Sequence, residues 1–274
     1  MEATTPDGAR LRVGARKAVI FASGGFTHDP ELRRNFLNVP AYAGCAALTN
    51  EGDFVRIGSS LGAQLRNMNY AWMCPVPLER SVARRPDLSG MFVVGGDSML
   101  FINKYGRRVV NEKLQYNELA QEFFRWDPQA AEYPNLVMVA LWDQRTQDHS
   151  AGTEFGVLVP PPGADDSHVV HGSTLAELTD QLRQRLVKYR AETGGAELAP
   201  DFTEQRAAAI ARFNRLAADG VDVDFHRGEK PVQLMFNGAV APSQNGPNPT
   251  MYLCVPRISS MALSSRVALP AVRP

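Results

Sequence analysis

Residues 17–26, KAVIFASGGF, constrain this chain more than any other stretch. An apolar run breaks into Ser-Gly-Gly and then into a polar, helix-like segment. A continuous apolar run of this kind suits a strand covered on both faces. Glycines at its end let a backbone pass close to a ligand and turn N–H groups towards oxygen atoms. The same pattern also serves as a plain strand-to-helix turn in an α/β protein.

Around it the chain punctuates clearly. Residues 8–16, GARLRVGAR, alternate like a paired strand, and THDPELRRNFL carries a capping residue and Pro30 at a helix start. TNEGDF leads into a helix over 54–61. Residues 100–102 and 109–110 flank NKYG as a hairpin, and 135–142, NLVMVALW, reads as a buried strand. A loop at 159–167 follows. Thr174 with Glu177, and Asp201 with Glu204, form capping boxes for two amphipathic helices. Leu175, Leu178, Leu182, Leu186 and Tyr189 face inward on the first, and Ile210, Phe213 and Leu216 on the second, which stops at Gly220. Residues 221–252 are loop-rich, and the last stretch has no period of either kind.

Composition excludes some partners. Lys plus Arg is 29 and Asp plus Glu is 29, so nothing argues for nucleic acid or an anionic membrane. Three scattered cysteines, Cys45, Cys74 and Cys254, argue against a disulfide scaffold. With a polar N-terminus and no apolar run near the ~20 residues of a spanning helix, the chain reads as cytoplasmic, without an integral membrane segment.

Candidate chemistry is spread along the chain. Asn50, Gly52 and Asp53 suit either a polar ring edge or ribose, or an Asx-type turn. Arg107, Arg108, Asn111 and Glu112 read as a solvated hairpin, and Tyr116 as a half-buried tyrosine or an acid/base group. The HVVH at 168–171 lacks helical i, i+4 spacing, so no metal site is expected. No Gly-x-Gly-x-x-Gly occurs, although a dinucleotide fold carries it on its first strand.

Taken in order and spacing, RKAVIFASGGF, TNEGD…IGSSLGAQL and INKYGRRVVNE resemble the flavoproteins of the fumarate reductase and succinate dehydrogenase class. FNRLAADGVDVDFHRGE followed by GPNPTMY is similar to the 3-ketosteroid Δ1-dehydrogenase branch. The resemblance implies an α/β plus α+β architecture: a partial Rossmann-type FAD-binding domain with an inserted cap domain for substrate. The parts would be 1–89 for FAD, 90–235 for the cap and 236–274 as a return with a divergent tail. It implies FAD as cofactor, with Ala22, Ser23, Gly24 and Gly25 against it and Asn50 and Asp53 near the flavin or its ribityl chain. Phe54 and Val109 depart from the family's usual Gly and Phe.

At position 116 the fumarate reductases place a proton-donating arginine and the ketosteroid dehydrogenases a tyrosine. A tyrosine suits a neutral, apolar ketone, whereas an arginine suits a carboxylate. The implied reaction is desaturation beside a ketone: Tyr116 takes part in accepting the proton and a hydride goes to flavin N5, with a further electron acceptor beyond. The resemblance also implies that the family's first strand and glycine loop precede residue 17, so the chain is expected to be an internal piece, isolated from those partners. The family pattern stops after Tyr252, as a frameshift would produce. Two alternatives stand beside this: reduction of a small unsaturated acid, as in fumarate reductases, and a non-catalytic subunit that complements a second chain.

Overall fold

The computed structural model describes residues 2–38, 46–83, 95–152, 159–172, 174–235, 247–255 and 258–265. Cys45 and the last nine residues lie outside these. A small hairpin opens the chain, with β1 (Glu2–Thr4) antiparallel to β2 (Arg10–Arg12). Its turn is closed by Thr5 N–H to Ala9 O at 2.9 Å. Two short helices follow: α1 (Pro30–Phe36), then α2 (Asp53–Ser60). As the sequence predicts, α1 is capped: the Asp29 carboxylate accepts from Glu31 N and Leu32 N at 2.8 and 2.9 Å, with Pro30 in its first turn.

The main body is one antiparallel sheet. Its order is β3 (Pro75–Pro77), β7 (Ile258–Ser265), β5 (Val137–Asp143), β4 (Met99–Asn103), and β6 (Val169–Val170) also pairs with β7. Strands β4 and β5 pair in full, Met99 opposite Trp142 and Asn103 opposite Met138. Side chains alternate between faces with a period of two. Met99, Phe101, Met138, Ala140 and Trp142 therefore join one core with Leu119 and Phe123, while Leu100, Ile102, Val139 and Leu141 join the other. Both faces are covered, which is why β5 reads as an unbroken apolar run.

The second core is closed by α6 (Leu175–Lys188) and α7 (Phe202–Asp219). Leu178 and Leu182 of α6 meet Ile210, Phe213 and Leu216 of α7 there, and Leu186 joins a smaller cluster with Leu78 and Val137. Thr174 caps α6, its hydroxyl accepting from Glu177 N at 3.1 Å. Asp201 does not cap α7: its backbone has turned to ψ 10°, and its carboxylate takes Gln205 Nε2 at 3.1 Å instead. Gly220 ends α7 at φ 76°, with Pro247 packed where a Cβ would stand. Shorter helices are α4 (Tyr116–Gln121), continued by a 3-10 turn at Glu122–Phe124, α5 (Gln144–Ser150) and α8 (Pro231–Met235), while α3 (Leu78–Val82) continues directly from β3.

Three further expectations are corrected. The apolar run 18–21 is neither a strand nor buried: Ile20 is 90 % exposed. No strand among the described residues lies beside it, and an unpaired segment has nothing to bury its side chains against. The hairpin at NKYG returns only through the single bridge Ile102–Arg108, after which the chain leaves the sheet. The stretch that showed no period supplies β7, paired with three strands. No helix among the described residues is long and apolar enough to cross a membrane.

Candidate functional site

The segments carrying the expected cofactor residues are brought together at the start of the chain. Residues 22–25 are exposed, with a bend at Ser23. Gly24 sits at φ 81°, and a Cβ there would fall against the Asn50 side chain, 2.7 Å from its Cγ. Only glycine adopts that conformation at no cost and lets the Asn50 amide lie so close. The two loops are laced elsewhere, with His28 N donating to Asn50 O at 3.1 Å and His28 Nε2 at 2.8 Å from Ala46 O. Gly52, at φ 80°, has no room for a side chain against Leu32 and Phe26 and turns the chain into α2, whose first residue is Asp53.

This arrangement suits FAD. Open space stands where a Cβ of Gly25 would project, so the backbone there is reachable near the Asn50 amide that lies against Gly24. Exposed backbone N–H groups beside a polar amide are donors and acceptors that a polyhydroxylated, phosphorylated cofactor can use.

Tyr116 belongs to a second cluster. It is half-buried and opens α4, and its ring lies nearly parallel to that of Trp72, centroids 6.1 Å apart and planes 20° apart. The next residues are tied as well, Met73 N donating to Asn117 Oδ1 at 3.1 Å.

The residues before Tyr116 in sequence enter a buried charge network, which corrects the solvated-hairpin reading of Arg108, Asn111 and Glu112. Arg108 donates to both Glu112 oxygens at 2.8 Å and to both Asp222 oxygens at 3.0 and 2.7 Å. Glu112 also accepts from Arg227 Nη1 at 2.9 Å and from the Phe101 backbone N at 3.1 Å. Arg227, completely buried, donates to the carbonyls of Met99 at 2.7 Å and Thr250 at 2.5 Å. Asn111 reaches Phe225 O at 3.0 Å. Of the expected group only Arg107 stays exposed.

Burial alone would raise the Glu112 carboxyl, but Arg108 and then Arg227 beside it hold it down at about 2. Burial, reinforced by Arg227, pushes the neighbouring Lys113 ammonium well below the usual lysine range; it donates to Gly96 O at 2.5 Å. A further pair, Arg145 with Asp97 at 2.8 and 2.9 Å, lies under the Tyr252 ring, 3.9 Å from its centroid. The network thus joins the start of β4, the segment before α4, residues 222–227 and residues 248–252. Asp97, Lys113, Arg145, Asp222, Arg227 and Thr250 were not singled out from the sequence. The one available signal was Asp-Phe-x-Arg at 224–227, quoted there only as a motif.

Among the described residues no group of His, Cys, Asp and Glu could hold a metal ion. Among the described residues Cys74 and Cys254 form no disulfide, and burial pushes the Cys254 thiol up.

The comparisons with known proteins carry the chain to a family. The family described as an FAD binding domain matches residues 2–253, and the chain belongs to it. The cofactor of that family is FAD. The chain is 30 % identical over 243 residues to 4-oxocyclohexanecarboxylate 2-dehydrogenase of Sinomonas cyclohexanicum, covering 88 % of this chain and 38 % of that protein. It is 30 % identical over 246 residues to 3-oxosteroid 1-dehydrogenase of Mycobacterium tuberculosis, covering 87 % of this chain and 39 % of that protein. The chain therefore spans about two fifths of the length of the curated relatives it matches. The fold matches that of 3-ketosteroid delta1-dehydrogenase from Sterolibacterium denitrificans in complex with 1,4-androstadiene-3,17-dione, with a TM-score of 0.73 at 20 % identity, over 94 % of this chain and 43 % of that one. The resemblance read from the sequence is upheld: the chain groups with FAD-dependent dehydrogenases.

Proposed function

We propose that this chain serves a dehydrogenase that introduces a double bond beside the carbonyl of a cyclic ketone, with Tyr116 accepting the proton. The observation that carries this reading is the placement of Tyr116. The phenol stands half-exposed at the end of a scaffold fixed by Glu112, four residues earlier, and two arginines. Its ring neighbour is Trp72, an apolar surface, rather than a cation. That environment suits a neutral ketone better than a small dicarboxylic acid, which would call for a fixed positive charge. The names of the relatives, which act on an oxosteroid and an oxocyclohexane acid, support the same class.

FAD, held by Ala22, Ser23, Gly24, Gly25, Asn50 and Asp53, supplies the hydride acceptor when bound, and an electron acceptor then takes the reducing equivalents. The chain's own residues do the rest. Tyr116 receives the proton from the carbon next to the carbonyl, and the charge network keeps its helix start in place. In this reading residues 1–89 belong to the FAD-binding part, of Rossmann type, and 90–235 to the cap.

The test uses the complete gene product, a 3-keto-4-ene steroid and an artificial electron carrier. Tyr116→Phe is expected to lower kcat by about a hundredfold or more with flavin content unchanged. Undiminished turnover in that variant removes Tyr116 from the chemistry.

A further inference from the structure

Tyr116 opens α4, a helix of only six residues, and its own sequence does little to hold that end in place. The residue before it, Gln115, makes no side-chain cap, unlike Asp29 before α1, Asp143 before α5 and Thr174 before α6. A helix this short takes its stability from what it touches. The charge network anchors the approach to α4 as far as Lys113 and no further. Among the described residues nothing hydrogen-bonds the Tyr116 hydroxyl, and its ring leans on Trp72, which is 80 % exposed. A stack so open to water is a weak hold.

One side chain supplies the missing attachment. Asn117, the second residue of α4, accepts the Met73 N–H through its Oδ1 at 3.1 Å. Met73 is a fixed point. Its side chain packs against the core that contains Leu119 and Phe123, and β3 begins two residues later, buried throughout and paired with β7. Gln121 Nε2 reaches the Asn117 carbonyl at 3.4 Å, but that bond stays inside α4. With residues 73 and 117 joined, their neighbours Trp72 and Tyr116 lie side by side, ring planes 20° apart. Without Oδ1 the start of α4 loses its tie to the sheet.

We propose that Asn117 is a positioning residue for Tyr116, locking the start of α4 to the lead-in of β3 and so fixing where the phenol oxygen stands. The inference rests on the reading of Tyr116 as proton acceptor given above. Proton transfer requires the accepting oxygen within hydrogen-bond reach of the carbon acid. A displacement of about 1 Å is enough to slow such a step severely. Asn117 itself touches no reacting atom in this account; it acts through the residue beside it.

Steady-state kinetics of the complete gene product test it, again with a 3-keto-4-ene steroid and an artificial electron carrier. Asn117→Ala is expected to lower kcat by about tenfold or more while changing KM by less than about threefold, with flavin content unchanged. Asn117→Asp keeps an oxygen for the Met73 N–H and should recover most of the rate. Gln121→Ala, which removes only the bond inside α4, should leave the rate unchanged. The decisive comparison is a double variant: in the Tyr116→Phe background, Asn117→Ala should cost nothing further, because its effect passes through the phenol. A parental rate in Asn117→Ala, no recovery in Asn117→Asp, an equal loss in Gln121→Ala, or the same loss repeated in Tyr116→Phe overturns the positioning role and leaves Tyr116 in place. Undiminished turnover in Tyr116→Phe overturns both.

Discussion

Glu112 and Arg227, 115 residues apart in sequence, meet at 2.9 Å with both side chains completely out of water. Arg108 shares the same carboxylate and passes on to Asp222, so two acids and two bases neutralise one another. Desolvating four charges is expensive, and only dense hydrogen bonding repays it. The arrangement is strong because each partner depends on the others.

Glu112→Gln should therefore destabilise the chain by about 3–5 kcal/mol, since it leaves Arg227 buried without its acid. Urea unfolding followed by circular dichroism checks this. A change below about 1 kcal/mol would show that the pair is dispensable.

The same residue sets a pH dependence. Its carboxyl falls from an ordinary 4.5 to about 2 in the folded chain, so the unfolded state binds the proton more readily. The contribution is complete above pH 4.5 and is lost as pH falls towards 2. Between those limits the stability gap separating the parent from Glu112→Gln should shrink by about 3 kcal/mol, measured as urea midpoints across the pH series.

Arg206 makes the opposite prediction. It is fully buried on α7, its Nε and Nη1 have no partner, and burial, with Arg183 nearby, pushes it down to about 10. Its one hydrogen bond goes to Leu175 O, which Thr179 Oγ1 also satisfies at 2.9 Å. Arg206→Met should stabilise the chain by about 1–3 kcal/mol, because a buried charge is exchanged for an apolar chain of similar length. A lowered melting temperature would contradict this.

Gly24 and Gly25 can be told apart. Gly24→Ala forces a side chain into the left-handed region and against Asn50, at a cost of about 1–2 kcal/mol, and should weaken FAD binding. Gly25→Ala meets open space and should leave folding within about 0.5 kcal/mol of the parent. Flavin absorbance after reconstitution and thermal melts read the two effects separately.

The helix caps separate what sequence can say from what it cannot. Thr174→Ala should cost about 1 kcal/mol and Asp201→Ala almost nothing, read by thermal denaturation. Both boxes have the same spacing, but only Thr174 takes the extended backbone that aims its oxygen at the helix. Helices α6 and α7 were legible because their apolar residues recur on one face, and β5 because both its faces are covered and its sequence is apolar throughout. Residues 18–21 were misread because burial of an apolar run depends on neighbours that the run itself does not specify. The charge network was invisible for another reason: charged residues default to solvent, and Glu112 gives no local sign of Arg227. Within the candidate site, Gly24 and Asn50 were named together through the family resemblance, whereas Trp72 carries no motif.

Strand β7 has a consequence for how the molecule is made. Pro75 waits for Ser265, Val137 for Ser264 and Val169 for Met261, so three strands stay without their common partner until residues 258–265 have been made. Sequence-distant closure of this kind is slow. A nascent chain halted at residue 255 would carry β5 with one bare rim, an invitation to chaperones or to a neighbouring copy.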